Sequence, residues 1–199
     1  MPSVIPAIRK HDILSMLTTP DNSVYNHNDL ITLFNQCFYR DYHTTLSAHA
    51  EEPLYTPATP DQPARIHFTR DYFASALHEI AHWCIAGEYR RTLEDYGYWY
   101  EPDGRTEEQQ ALFESVEIEP QALEWIFSLC CNAPFRISAD NLNSTIGASE
   151  SFKRNVYNKA VEYLENGLPE RPQHFAKALS RHFREDTSPA ASELDPATL

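Results

Sequence analysis

Cations are scarce in this chain: 16 Lys plus Arg stand against 29 Asp plus Glu in 199 residues, a formal net charge of -13. Binding to a phosphate backbone draws on clustered cations that release counterions, so nucleic acid is not expected as a partner. The same excess suits a cationic substrate or a basic patch on a protein partner, and at the least it favours solubility. Long apolar runs are also missing. The first twenty residues mix prolines and charges with short apolar stretches, so no secretory signal is expected. The longest apolar stretch, Ala122 to Phe135, is broken by Glu124 and is too short to cross a bilayer. A soluble, cytoplasmic protein without membrane attachment is the expectation. Paired cysteine spacing is absent too, because Cys37, Cys84, Cys130 and Cys131 form no C-x-x-C. That argues against a zinc ribbon or a disulfide framework and for reduced, buried thiols. No repeat occurs at the spacings of solenoids or propellers.

What is present is enough apolar material, 42% hydrophobic residues, to close one sizeable core. Residues 1–26, rich in Pro, Ser, Thr and Asn, read as a loosely ordered N-terminal extension, and residues 186–199 as a solvated tail with nothing to bury. The span 27–185 is the folded domain. Leu30, Ile31, Phe34, Cys37 and Phe38 line one helical face after the Asn26 and Asn28 start signals. Prolines at 53, 57, 60 and 63 predict an extended surface connection, and Ile66-His67-Phe68 alternates like a short strand.

From Asp71 to Ala86 apolar residues recur at three- and four-residue spacings, with Gly87 placed to supply a left-handed cap. Thr106 and Gln109 form a capping box opening a helix that Pro120 should end near Glu117, with another beginning at Pro120. Later helices are predicted over about 150–166, capped by Gly167, and about 172–183. The fold class is therefore α+β, a helix-rich single domain with a small β-sheet.

The chemistry concentrates in His78-Glu79-Ile80-Ala81-His82 on the second helix. Residues four apart in a helix sit about 40° apart in azimuth and about 6 Å along the axis, so both imidazoles can grip one divalent ion. Such a site needs an anionic ligand as well. Glu117, between apolar Val116 and Ile118, is the first candidate and Glu114, on the same face, the second. Two chemistries suit the motif. With zinc, Glu79 is the catalytic general base of a metallopeptidase; with ferrous iron, two histidines and a carboxylate leave positions for dioxygen and substrate. A third reading, a non-catalytic module braced by the metal, lacks the four closed ligands such sites use.

Longer strings resemble the bacterial elongation factor P hydroxylase family. They are YFASALHEIAHWCIAG at 72–87, RR at 90–91, YGYWYEPDGR at 96–105, VEIEPQALEW at 116–125, PF at 134–135, DNL at 140–142 and YLENGLPERPQHFAKAL at 163–179. The resemblance covers roughly residues 27–185. It implies a non-haem, iron-type monooxygenase, with zinc as the other candidate metal, that uses dioxygen to hydroxylate the β-lysylated lysine of elongation factor P. In that reading His78, His82 and Glu117 hold the metal and Glu79 stands behind them. Tyr98, Trp99, Asp103 and Arg105 are the candidates for shaping the substrate entry.

Overall fold

The structure, a computed structural model, describes residues 25–97, 105–138 and 148–199. Asn26 opens helix α1 (His27–Tyr42) by accepting the Asn28 backbone N–H on its side chain. Leu30, Phe34 and Phe38, spaced four apart, are its buried stripe. The chain then forms β1 (Thr44–Ala50), β2 (Leu54–Thr56) and β3 (Ala64–Thr69), in sheet order β1-β3-β2. β3 is central, parallel to β1 and antiparallel to β2. Its Ala64, Ile66 and Phe68 point into the core at the two-residue period of a strand with one buried face.

Two expectations change here. The proline-rich connection contains strand β2, in which Pro53 and Pro57 flank the pairing residues at a sheet edge, where a missing N–H costs little. Gly87 does not supply a left-handed cap to helix α2 (Phe73–Ile85): Ala86 is the C-cap, with φ -58°. The terminal carbonyls are taken by guanidinium groups instead. Arg171 donates to the Trp83 and Ala86 carbonyls (3.0 and 2.6 Å), and Arg91 donates to Ala86 (2.7 Å). Cations at this end also complement the helix dipole.

Helix α3 (Glu107–Cys130) starts at the expected Thr106–Gln109 capping box and then corrects the sequence reading, because it runs unbroken through Pro120. A proline inside a helix forfeits one backbone hydrogen bond and costs about 3 kcal/mol in isolation. Pro120 is buried, and every residue from Gln121 to Ser128 is buried with it, against α2, α4 (Glu150–Asn166) and α5 (Glu170–Phe183). That burial outweighs the lost bond, since each fully buried large apolar side chain contributes about 1.5–3 kcal/mol. Gly167, with φ 97°, does cap α4 as expected.

The aromatic centre of the core joins α1, α2, α3 and α5: Trp83 packs on Phe38 and Phe34 at centroid distances of 4.7 and 5.1 Å, and Phe175 reaches Phe127 at 5.3 Å. The four cysteines are free, three of them buried. Leu194, in the stretch expected to bury nothing, joins the core, and Glu193 accepts from Arg184 at 2.9 Å. Of the N-terminal extension only Tyr25 and Asn26 lie within the described residues. Among the described residues no helix is long and apolar enough to cross a membrane. The helix-rich α+β architecture with a small sheet is the one the periodicities imply.

Candidate metal centre

α2 and α3 pack face to face, and the site lies between them. The four-residue spacing brings the His78 and His82 Nε2 atoms to 3.0 Å of each other. From α3, Glu117 is nearly fully buried and places Oε2 3.6 Å from His78 Nε2 and Oε1 3.3 Å from His82 Nε2. One ligand atom from each of these residues lies within 4.8 Å of the others.

Donor atoms bound 2.0–2.2 Å from one ion at angles of 90–110° stand about 2.8–3.6 Å apart. The spacing between the rings and the spacing from each ring to its nearer Glu117 oxygen fall in that interval, so the donor set fits a divalent ion with the carboxylate facing both rings. Glu114, the second candidate, is engaged elsewhere: its carboxylate accepts from the Ser149 N–H (3.2 Å) and hydroxyl (2.6 Å) at the start of α4.

Around these three stands a supporting layer that sequence reasoning missed. Glu124, which in the sequence only interrupts an apolar stretch, accepts from His78 Nδ1 on its Oε2 at 2.8 Å, leaving Nε2 of that ring directed at the cluster. Gln121 donates to Glu117 Oε2 (3.4 Å) and to the Ser138 carbonyl (2.8 Å), while the Ser138 N–H donates back to Gln121 Oε1 (3.0 Å). Glu117, Gln121 and Glu124 stand at i, i+4 and i+7, one face of an unbroken helix. The signal was in the sequence, but a helix ended at Pro120 scatters it.

Electrostatics follow from burial beside opposite charge. Burial disfavours the charged imidazolium of His78, but the Glu124 hydrogen bond and the charges of Glu124, Glu117 and Glu79 outweigh it and hold the group up at about 10. Burial also opposes ionisation of Glu117, and His82, His78 and the Gln121 amide reverse that and pull it down to about 2. Glu79 moves the other way. Burial raises its carboxyl, and His78 and His82 only partly offset this, with Glu117 and Asp95 pushing it further up. Two imidazole nitrogens 3.0 Å apart cannot both offer lone pairs to each other, so in this arrangement one of them donates to the other.

A cleft of about 380 Å³ opens beside His82, walled by Ile85, Ala86, Tyr96, Val116 and Glu119. Of the proposed entry residues, Tyr98, Trp99 and Asp103 lie outside the described residues. Arg105 sits just ahead of α3 with its guanidinium 3.8 Å over the Phe113 ring and near Gln110.

The chain matches the family model described as elongation factor P hydroxylase over residues 33–193. It is 51% identical over 152 residues to the elongation factor P lysine hydroxylase of Haemophilus influenzae, a match spanning 76% of this chain and 85% of that protein. The chain belongs to the elongation factor P hydroxylase family. The matched span takes in α2 and α3, the two helices that carry the His78, His82 and Glu117 cluster.

Proposed function

We propose that this protein hydroxylates the β-lysylated lysine of elongation factor P, at a metal held by His78, His82 and Glu117. The observation that carries the reading is the convergence of two imidazoles and one buried carboxylate at ion-binding spacings in a chain of this family. The name of the relative from Haemophilus influenzae supports a lysine of elongation factor P as the substrate. Two histidines and one carboxylate on one face leave positions open, the arrangement that favours ferrous iron, with zinc the other candidate. Bound there, ferrous iron would activate dioxygen, so that one oxygen atom enters a C–H bond and the other leaves as water with two electrons from an external reductant.

The chain's own residues do the rest. Glu124 fixes the tautomer and tilt of His78, and Gln121, anchored on Ser138, holds Glu117 in place. Glu79 stands beside the ligands with a raised carboxyl, a group able to hold or release a proton at the edge of the site. Tyr98, Trp99, Asp103 and Arg105 remain the proposed entry residues, with 27–185 as the metal-binding domain between an N-terminal extension and the tail. Elongation factor P is the protein partner; action in the cytoplasm, with no nucleic acid or membrane engaged, belongs to the same proposal.

The test is mass spectrometry of β-lysylated elongation factor P after incubation with the iron-loaded protein, a reductant and air. The expected result is a gain of one oxygen atom on the modified lysine, absent with His78→Ala. No gain from the iron-loaded wild type overturns the proposal.

A further inference from the structure

The cleft beside His82 has a wall of mixed chemistry. Ile85, Ala86 and Val116 offer apolar surface, and Tyr89, 75% exposed, adds an aromatic ring. Two carboxylates share the wall, Glu88 from the turn after α2 and Glu119 from α3. The guanidinium of Arg90, in the same wall, donates to the Tyr96 carbonyl at 2.9 Å.

Only one of the two carboxylates is fixed. Glu88 is exposed and makes no side-chain hydrogen bond or ion pair among the described residues. Glu119 accepts from the Tyr163 hydroxyl of α4 on its Oε1 at 3.1 Å. Burial first, and the Glu119 charge second, raise the Tyr163 phenol well above its ordinary range, so it keeps its proton and stays a donor. Lys159 leaves the carboxylate largely uncompensated, because its ammonium stands 3.9 Å from the same Oε1 and only 2.9 Å from Glu162. The Glu119 side chain is 49% exposed, and its Oε2 has no partner among the described residues. A carboxylate already held by a neighbour loses less freedom on pairing with a cation than an untethered one, which favours Glu119 over Glu88 as a binding group.

β-Lysylation changes a lysine in a way this wall can read. Acylation turns the lysine's own nitrogen into a neutral amide and carries two ammonium groups outward on an added run of methylenes. Methylenes suit the apolar part of the wall; an ammonium suits a carboxylate and an aromatic face.

We infer that Glu119 is a specificity-determining residue whose carboxylate pairs with an ammonium group of the β-lysyl extension in the cleft beside His82. The inference rests on the proposed function. It gives the metal site a means of telling the modified lysine from the unmodified one.

Glu119→Gln keeps the size of the side chain and an oxygen for Tyr163 and removes the charge. Glu88→Gln removes a charge of the same sign from the same cleft. Calorimetry gives the affinities of the wild type and both variants for β-lysylated and for unmodified elongation factor P, with ferrous-ion affinity and wild-type hydroxylation measured alongside. The expected result is an affinity of Glu119→Gln for the β-lysylated factor weakened about fivefold, with its affinities for the unmodified factor and for ferrous ion unchanged and a smaller loss in Glu88→Gln. Equal affinities of the wild type and Glu119→Gln for the β-lysylated factor overturn the Glu119 assignment alone, provided the wild type hydroxylates that factor. A loss that is the same for both forms of the factor, that Glu88→Gln matches, or that comes with weakened ferrous-ion binding also overturns it, by showing general acidity or the metal site as the cause. A wild type that neither binds nor hydroxylates the β-lysylated factor overturns the assignment and the functional reading together.

Discussion

Glu124 and His78 meet at 2.8 Å on the side of the imidazole away from His82, a carboxylate from α3 steering a ring from α2. A carboxylate behind a ligating histidine fixes the ring and raises its basicity, and losing it typically lowers metal affinity 10–100-fold. Glu124→Ala should therefore weaken ferrous-ion binding by about that factor while the far-ultraviolet circular dichroism stays that of the wild type. An unchanged affinity in a competition titration would show that Glu124 plays no part in holding the site.

Metal binding should release a proton. In the metal-free protein His78 titrates at about 10 and is protonated at neutral pH, and a ligating imidazole must be neutral. Between about pH 7 and pH 9 the affinity should rise close to tenfold per pH unit, one proton exchanged per ion. Calorimetry in buffers of different ionisation enthalpy counts that proton directly; a count of zero contradicts the assignment.

The same groups set the pH range of the metal-free fold. Glu117 is depressed to about 2 from a carboxylate's ordinary 4.5, so its contribution is complete above about pH 4.5 and is lost as pH falls through about 2. That contribution is on the order of 3 kcal/mol. His78 is raised, so its contribution is complete below about pH 6.5 and is lost as pH rises through about 10. Urea unfolding of the metal-free protein should give a plateau between these limits with falls on both sides. In Glu117→Gln the acid-side fall should shrink, and an identical acid limb in both proteins would contradict the assignment.

Glu79→Gln separates hydrolysis from oxygenation. A zinc peptidase loses its general base and essentially all activity. A hydroxylase whose metal is held by the neighbouring histidines should retain much of its turnover and its full metal content. The decisive comparison is the initial rate of oxygen incorporation per bound metal; abolished turnover with metal retained would give Glu79 the indispensable role.

Much of this site is legible in the sequence because its core is local. His78 and His82 are one helical turn apart, and the amphipathic period of 73–85 puts them in a helix without any tertiary information. Glu117 could be favoured over Glu114 only through its apolar neighbours, and the structure shows the difference: Glu114 accepts from Ser149, the N-cap of α4, while Glu117 faces the histidines.

The errors came where packing overrides local preference. Pro120 signals a break that the burial of Gln121 to Ser128 does not permit, and accepting the break hides the shared face of Glu117, Gln121 and Glu124. Gly87 reads as a cap because the sequence does not show Arg171, more than eighty residues away, reaching the Trp83 and Ala86 carbonyls. β2, only three residues long and flanked by prolines, carries too little periodicity to announce itself, although Tyr55 within it braces Tyr96.

The central claim is that His78, His82 and Glu117 close on one divalent ion. The direct measurement is titration of metal-free protein with ferrous ion in the absence of oxygen, followed by calorimetry, for the wild type and for His82→Ala and Glu117→Ala. One ion per chain in the wild type, with binding abolished or greatly weakened in both variants, is the expected result. No binding by the wild type, or binding that survives both substitutions unchanged, contradicts the account.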